Sequence, residues 1–102
     1  MPGNSFRFSV PVEVRFRDLD SLGHVNNAVY LTYLEVGRIA YIARLGLTDP
    51  VRPRLLVARI EVDYRRPVHL GEALTVAVRT AEVGRKSFTL AYEVLALSLI
   101  HI

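Results

Sequence analysis

Cysteine is absent from all 102 residues, so the chain has no disulfide framework and no thiolate metal site, and its redox compartment stays open. The three histidines, His24, His69 and His101, are scattered rather than set at ligand spacing, and no metal and no cofactor is expected. No uninterrupted run of about 18 apolar residues exists to span a membrane. The N-terminus also lacks the basic-then-apolar pattern of a secretory signal, which makes the cytoplasm the default expectation. Lysine is almost missing. Twelve arginines and one lysine leave a net charge of +3, but they are spread along the whole sequence with no basic block, so no nucleic-acid surface is marked. A small polyanionic ligand fits that charge equally well. Internal repeats and low-complexity linkers are also absent.

What is present is a 51% hydrophobic chain of one domain at most, able to bury a modest core and small enough to gain from a partner subunit. A homodimer or homotetramer is expected. From Phe6 to Phe16 every even position is apolar and most odd ones are polar, the period of a half-buried strand. Pro11 falls on the odd face, and since proline donates no ladder hydrogen bond this strand belongs at a sheet edge or carries a bulge. Between Asn27 and Leu45 the period becomes helical through Val29, Tyr33, Val36 and Ala40. Asn26 or Asn27 is the expected N-cap and Gly46 the stop, with Pro50 beyond it. Gly37 inside this helix costs about 1 kcal/mol against alanine, which close packing on a sheet would explain.

Alternation returns over Leu56–Tyr64, Leu74–Val78 and Phe88–Val94, predicting three more strands. Turn signals around Gly71 and Gly84 separate them and are short enough for antiparallel neighbours. One amphipathic helix and one antiparallel sheet pack with the helix across the sheet, an α+β arrangement.

The chemistry concentrates in Asp18-Leu19-Asp20-Ser21-Leu22-Gly23-His24-Val25-Asn26-Asn27, where acids in a turn run into the helix start. A helix N-terminus offers unpaired N–H groups and a partial positive charge that polarise a carbonyl, and a nearby carboxylate can attack that carbonyl or direct water at it.

Together with Tyr30-Leu31-Thr32-Tyr33-Leu34-Glu35-Val36-Gly37-Arg38, that run resembles the hot-dog-fold acyl-CoA thioesterases of the 4-hydroxybenzoyl-CoA thioesterase type. The likeness extends from about Phe6 to Ala96 and takes in Asp63-Tyr64-Arg65-Arg66-Pro67 and Val83-Gly84-Arg85-Lys86-Ser87-Phe88. It implies the hot-dog fold and hydrolysis of an acyl-CoA thioester to a free acid and coenzyme A. It places the working acid on Asp20 and the oxyanion donor on the backbone N–H of Asn27, a donor typically worth about 3 kcal/mol. Partial burial would strengthen Asp20 as a base. His24 and Asn26 would shape the turn and the pocket floor. Arg65, Arg66, Arg85 and Lys86 would meet the phosphates of coenzyme A. Tyr30, Tyr33, Leu34 and Tyr64 are candidates to line the acyl tunnel.

Each of these residues has a plainer role beside it. Asp20 can close the turn or cap the helix, Asp18 is read as an ion-pair partner of Arg15 or Arg17, and His24 serves a turn as well as a proton shuttle. Glu35, an acid matched on the helix of many relatives, has Arg38 three residues on and is second-tier for catalysis. The four cations also suit an ordinary solvated face, and the aromatics an ordinary core. An acyl-carrier-protein thioesterase and a non-catalytic ligand-binding module are the alternative functions.

The ending Leu97-Ser98-Leu99-Ile100-His101-Ile102 corresponds to CTG TCT CTT ATA CAC ATC, the transposon-end adapter of a common sequencing-library chemistry. The expected division is therefore a hot-dog domain over 1–96, truncated at its C-terminus, and an adapter-derived tail over 97–102. The resemblance then implies a missing strand that pairs between those matching Leu56–Tyr64 and Phe88–Val94. Its absence would leave ladder groups and core surface uncovered.

Overall fold

The computed structural model describes residues 6–46 and 57–97. Strand β1 (Phe8–Glu13) leads through a single 3₁₀ turn (Phe16–Asp18) and a tight loop into helix α1 (Asn27–Leu45). Strands β2 (Ala73–Val83) and β3 (Phe88–Leu97) follow. The sheet order is β1-β2-β3, antiparallel throughout.

Pro11 lies on β1, an edge strand, paired in register with Thr75 and exposed, as a residue without an N–H requires. Phe8, Val10 and Val12 turn towards the core. The alternation breaks sooner than the sequence pattern does: Phe16 is 80% exposed. The Asp18 carboxylate draws the Arg15 N–H and guanidinium onto itself, which folds the chain into the 3₁₀ turn and rotates Phe16 outward.

Helix α1 begins and ends where its caps dictate. Asn26 Oδ1 accepts the Ala28 N–H at 2.8 Å, and Gly46 donates to the Ile42 and Ala43 carbonyls. Its inner face, with Tyr33 and Gly37 buried, lies on β2 and β1. The core is Val14, Val25, Tyr33 and Val68 packed with Leu74, Val76 and Val78 of the central strand. A β-carbon on Gly37 would stand 2.6 Å from Val76 Cγ1 and 3.2 Å from Val78 Cγ2, so the glycine is what lets helix and sheet approach this closely.

The strand expected over Leu56–Tyr64 does not form. Residues 57–65 join no ladder, and Val57, Ile60, Val62 and Tyr64 are exposed; Leu56 lies outside the described residues. Alternating side chains define a face, but a strand also needs a neighbouring backbone, and no neighbour pairs with this stretch among the described residues. β2 and β3, by contrast, run longer than their apolar patterns, to Val83 and Leu97, because each supplies the other's ladder. The turn between them closes through Gly84 N–H to Ser87 O at 2.7 Å. Of the expected foreign ending, the backbone of Leu97 closes β3 opposite Ala73, and residues 98–102, His101 among them, lie outside the described residues.

Candidate active site

The loop 18–26 is a small hydrogen-bonded ring. The Asn26 N–H donates to Asp18 O (2.9 Å), the Asp20 N–H to His24 O (2.7 Å) and the Gly23 N–H to Asp20 O (3.0 Å). Gly23 takes φ +81°, a conformation that an L side chain rarely adopts and that this reversal requires. A further bond, Val25 N–H to Val68 O at 2.8 Å, ties the ring to the segment before β2.

Asp20 stands in this ring with Oδ1 accepting the N–H groups of Leu22 (2.9 Å) and His24 (3.2 Å). The same acid therefore closes the turn and faces outward, and among the described residues Oδ2 has no partner. The two backbone donors hold its carboxyl below the usual aspartate range. The burial that would have raised Asp20's basicity is not found: the residue is exposed and its shift runs the other way.

Asp20 lines an open cleft of about 380 Å³ with His24, Asn27, Tyr30, Tyr64, Arg65 and Arg66, and Val25 and Pro67 complete it. The cap arrangement decides which helix donor is left over. Ala28 N–H is taken by the Asn26 side chain and Val29 N–H by the Asn26 carbonyl, while Asn27 N–H has no partner among the described residues. Asn27 is in the cleft wall, so the residue that carries this helix-terminal N–H and the one that carries an ionised carboxylate line the same space. Tyr64 crosses from the 57–67 segment to donate its hydroxyl to Asn27 O at 3.0 Å, and its ring lies 5.4 Å from that of Tyr30. The Tyr30 hydroxyl is buried without a partner among the described residues, and burial pushes its pKa up.

Asp18 is placed otherwise. It is 2% exposed and bound to Arg15 at 3.0 Å and to the Tyr33 hydroxyl at 2.8 Å, the ion pair with Arg15 that the sequence suggested. Tyr33 therefore lies in the core beside Asp18, and Leu34 packs against that core, whereas Tyr30 and Tyr64 reach the cleft. Asn26 caps the helix and is not in the cleft wall. Glu35 points away on the exposed side of α1, 3.8 Å from Arg38, and does not meet Asp20.

The four cations separate into two groups. Arg65 and Arg66 border the cleft, with Arg66 bound to Glu72 just before β2, while Arg85 and Lys86 sit at the β2–β3 turn beyond the other end of that strand, whose ten residue steps span about 33 Å. Within one chain they form no common patch. Arg66 is itself engaged by Glu72 at 2.7 Å, and Arg65 forms no ion pair among the described residues. Glu72 also binds the His69 N–H, and the His69 ring stands edge-on to His24 with centroids 4.8 Å apart. Nothing in the residue order signals Glu72 or His69 in this neighbourhood, since the two histidines are 45 positions apart and an isolated bridge between them, outside the three-stranded sheet, brings them together. Among the described residues no three His, Asp or Glu side chains gather in a way that could hold a metal ion.

One long helix lying across an antiparallel sheet, with a cleft at the helix start, defines the hot-dog class of thioesterase folds. The profile of the Thioesterase-like superfamily matches residues 14–99, and the chain belongs to that family. It is 38% identical over 89 residues to the uncharacterized protein YsmA of Bacillus subtilis, covering 86% of this chain and 60% of YsmA. It is 31% identical over 91 residues to the acyl-CoA thioesterase YbgC of Haemophilus influenzae, covering 84% of this chain and 65% of YbgC. A thioesterase from Thermus thermophilus, solved in complex with coenzyme A and Zn, superposes with a TM-score of 0.81 at 50% identity, over 86% of this chain and 66% of that one. The chain thus spans between three-fifths and two-thirds of these relatives.

Proposed function

We propose that the protein hydrolyses an acyl-CoA thioester to a free carboxylic acid and coenzyme A. The observation that carries this reading is that Asp20, with its ionised carboxylate, and Asn27, whose N–H has no partner among the described residues, line one cleft. The thioester oxygen would take the Asn27 N–H, where the helix-end charge stabilises a developing oxyanion. Asp20 either attacks the carbonyl carbon, expelling the coenzyme A thiolate and leaving a mixed anhydride that water opens, or orients and deprotonates the attacking water. Its lowered pKa makes it a weak base that is fully ionised at neutral pH. The order Asp18-x-Asp20-x-x-Gly23-His24-Val25-Asn26-Asn27 supports the 4-hydroxybenzoyl-CoA thioesterase type within the family.

Coenzyme A as the carrier is supported by the cations at the cleft mouth and by the Thermus thermophilus relative that binds it. Arg65 is the better placed phosphate partner, because Glu72 already neutralises Arg66. His24 forms the cleft wall and Asn26 sets the helix start, while Glu35 is left to its pair with Arg38. Arg85 and Lys86 can reach the same nucleotide only from a second subunit of a homodimer or homotetramer. A cytoplasmic setting agrees with this, and no helix among the described residues is long and apolar enough to cross a membrane.

Asp20→Asn tests the reading. Thiol release from acyl-CoA should fall about 10²- to 10⁴-fold, with coenzyme A binding retained; unchanged turnover removes Asp20 from the mechanism. Offering one acyl group on coenzyme A and on acyl carrier protein separates the two carriers.

A further inference from the structure

Asp18 is the one buried charge among the described residues, and the reaction outlined above does not use it. Its carboxylate has more partners than an ion pair needs. Oδ2 accepts the Arg15 N–H at 2.9 Å and the Tyr33 hydroxyl at 2.8 Å, and Oδ1 accepts Arg15 Nη2 at 3.0 Å. Its backbone works too: Asp18 O accepts the N–H of Asn26, the residue that caps α1. One residue therefore grips the helix twice, at its N-cap through the main chain and nearly two turns further along through Tyr33. Between these two grips lies Asn27, and on the loop that Asp18 opens lies Asp20. Fixing Asp18 against α1 fixes the separation of the carboxylate from the oxyanion donor.

We infer that Asp18 is a positioning residue for the thioesterase reaction, its buried carboxylate clamping the Asp20 loop to α1 through Tyr33 and Arg15 so that Asp20 and the Asn27 N–H meet one carbonyl. This rests on the proposed roles of Asp20 and Asn27. Asp18 does not touch substrate, since it is buried and absent from the cleft wall. Its loss therefore acts on geometry and appears in kcat rather than in substrate binding. Tyr33 shares the interaction: its hydroxyl has Asp18 as its partner, and its ring sits in the core whether or not that bond exists.

The test compares Asp18→Asn, Tyr33→Phe, their double variant and Asp20→Asn in the full-length protein, measuring kcat, KM and thermal midpoint on one acyl-CoA. Asp18→Asn should lower kcat on the order of ten- to a hundred-fold, the scale that a misplacement of about 1 Å carries, with KM within about twofold. Tyr33→Phe should move kcat the same way by less, and the double variant should be no worse than Asp18→Asn, because both remove one shared interaction. Wild-type kcat in Asp18→Asn and Tyr33→Phe, beside an inactive Asp20→Asn, overturns the clamp and leaves the Asp20 reading standing. An active Asp20→Asn overturns that reading and the clamp with it. If Asp18→Asn does not fold, Tyr33→Phe decides, since it deletes one oxygen and leaves the Arg15 ion pair in place. A fall in thermal midpoint with kcat untouched assigns Asp18 to stability alone and also overturns the clamp.

Discussion

Asp18 and Asp20 are two positions apart with the same side chain, and their surroundings give them opposite work. Burial alone would raise the Asp18 carboxyl, but the Arg15 N–H, the Arg15 guanidinium and the Tyr33 hydroxyl outweigh it and hold the pKa below its ordinary value of 3.8. A pKa lowered by folding means that the unfolded chain binds the proton more readily. The stabilisation is present above about pH 4 and is lost as the pH falls through the lower folded value. Thermal midpoints followed from neutral pH into acid should therefore drop more steeply for the wild type than for Asp18→Asn, with the two curves converging at the acid end. Parallel curves would show that the carboxylate contributes nothing through its charge. Asp20 is lowered by the Leu22 and His24 N–H groups instead, in the open. The acid limb of kcat/KM should accordingly lie below about pH 4, and a limb near neutrality would assign the rate to a different group.

At the scale of elements, α1 is written locally. The Asn26 cap, the Gly46 stop and the apolar spacing all lie within the helix or one residue outside it, and the observed bounds follow them. What Gly37 does is decided by the neighbour. An alanine there gains about 1 kcal/mol of helix propensity, yet its Cβ must displace Val76, which is fully buried and has nowhere to go. Overpacking costs typically about 1–3 kcal/mol, so Gly37→Ala should lower stability by about 1 kcal/mol net. Chemical denaturation gives the value. Val76→Ala placed behind it should recover part of the loss, and an absence of coupling between the two substitutions would disprove the contact. The 57–65 stretch shows the reverse case: its alternation is as regular as that of β1, but β1 has β2 beside it and 57–65 has no ladder partner.

For the whole molecule the consequence is an uncovered surface. β3 pairs with β2 along one edge and with no other described strand, and four large apolar or aromatic side chains, Val57, Ile60, Val62 and Tyr64, stand exposed on the unpaired stretch. Free edges and apolar faces recruit other chains. The 102-residue polypeptide expressed alone should therefore self-associate, with light scattering rising with concentration and broad elution on size exclusion. A monodisperse dimer with a single cooperative unfolding transition would contradict this. The distance between Arg65 and Arg85 belongs to the same scale, because the length of β2 keeps the two basic groups apart in any single subunit.

The helix and its caps, the edge character of β1 and the acid-to-helix junction were all legible in the order of residues, because each is set by neighbours within a few positions of one another. Which backbone found a partner was settled in three dimensions. Folding left 57–65 outside the sheet, brought His69 against His24 and Glu72 against Arg66 at the cleft's edge, left Glu35 on the exposed side of the helix, and set Tyr33 on Asp18. The contacts that set Tyr33 on Asp18 and His69 on His24 join residues 15 and 45 positions apart, and local periodicity carries no information about which distant surface a side chain meets.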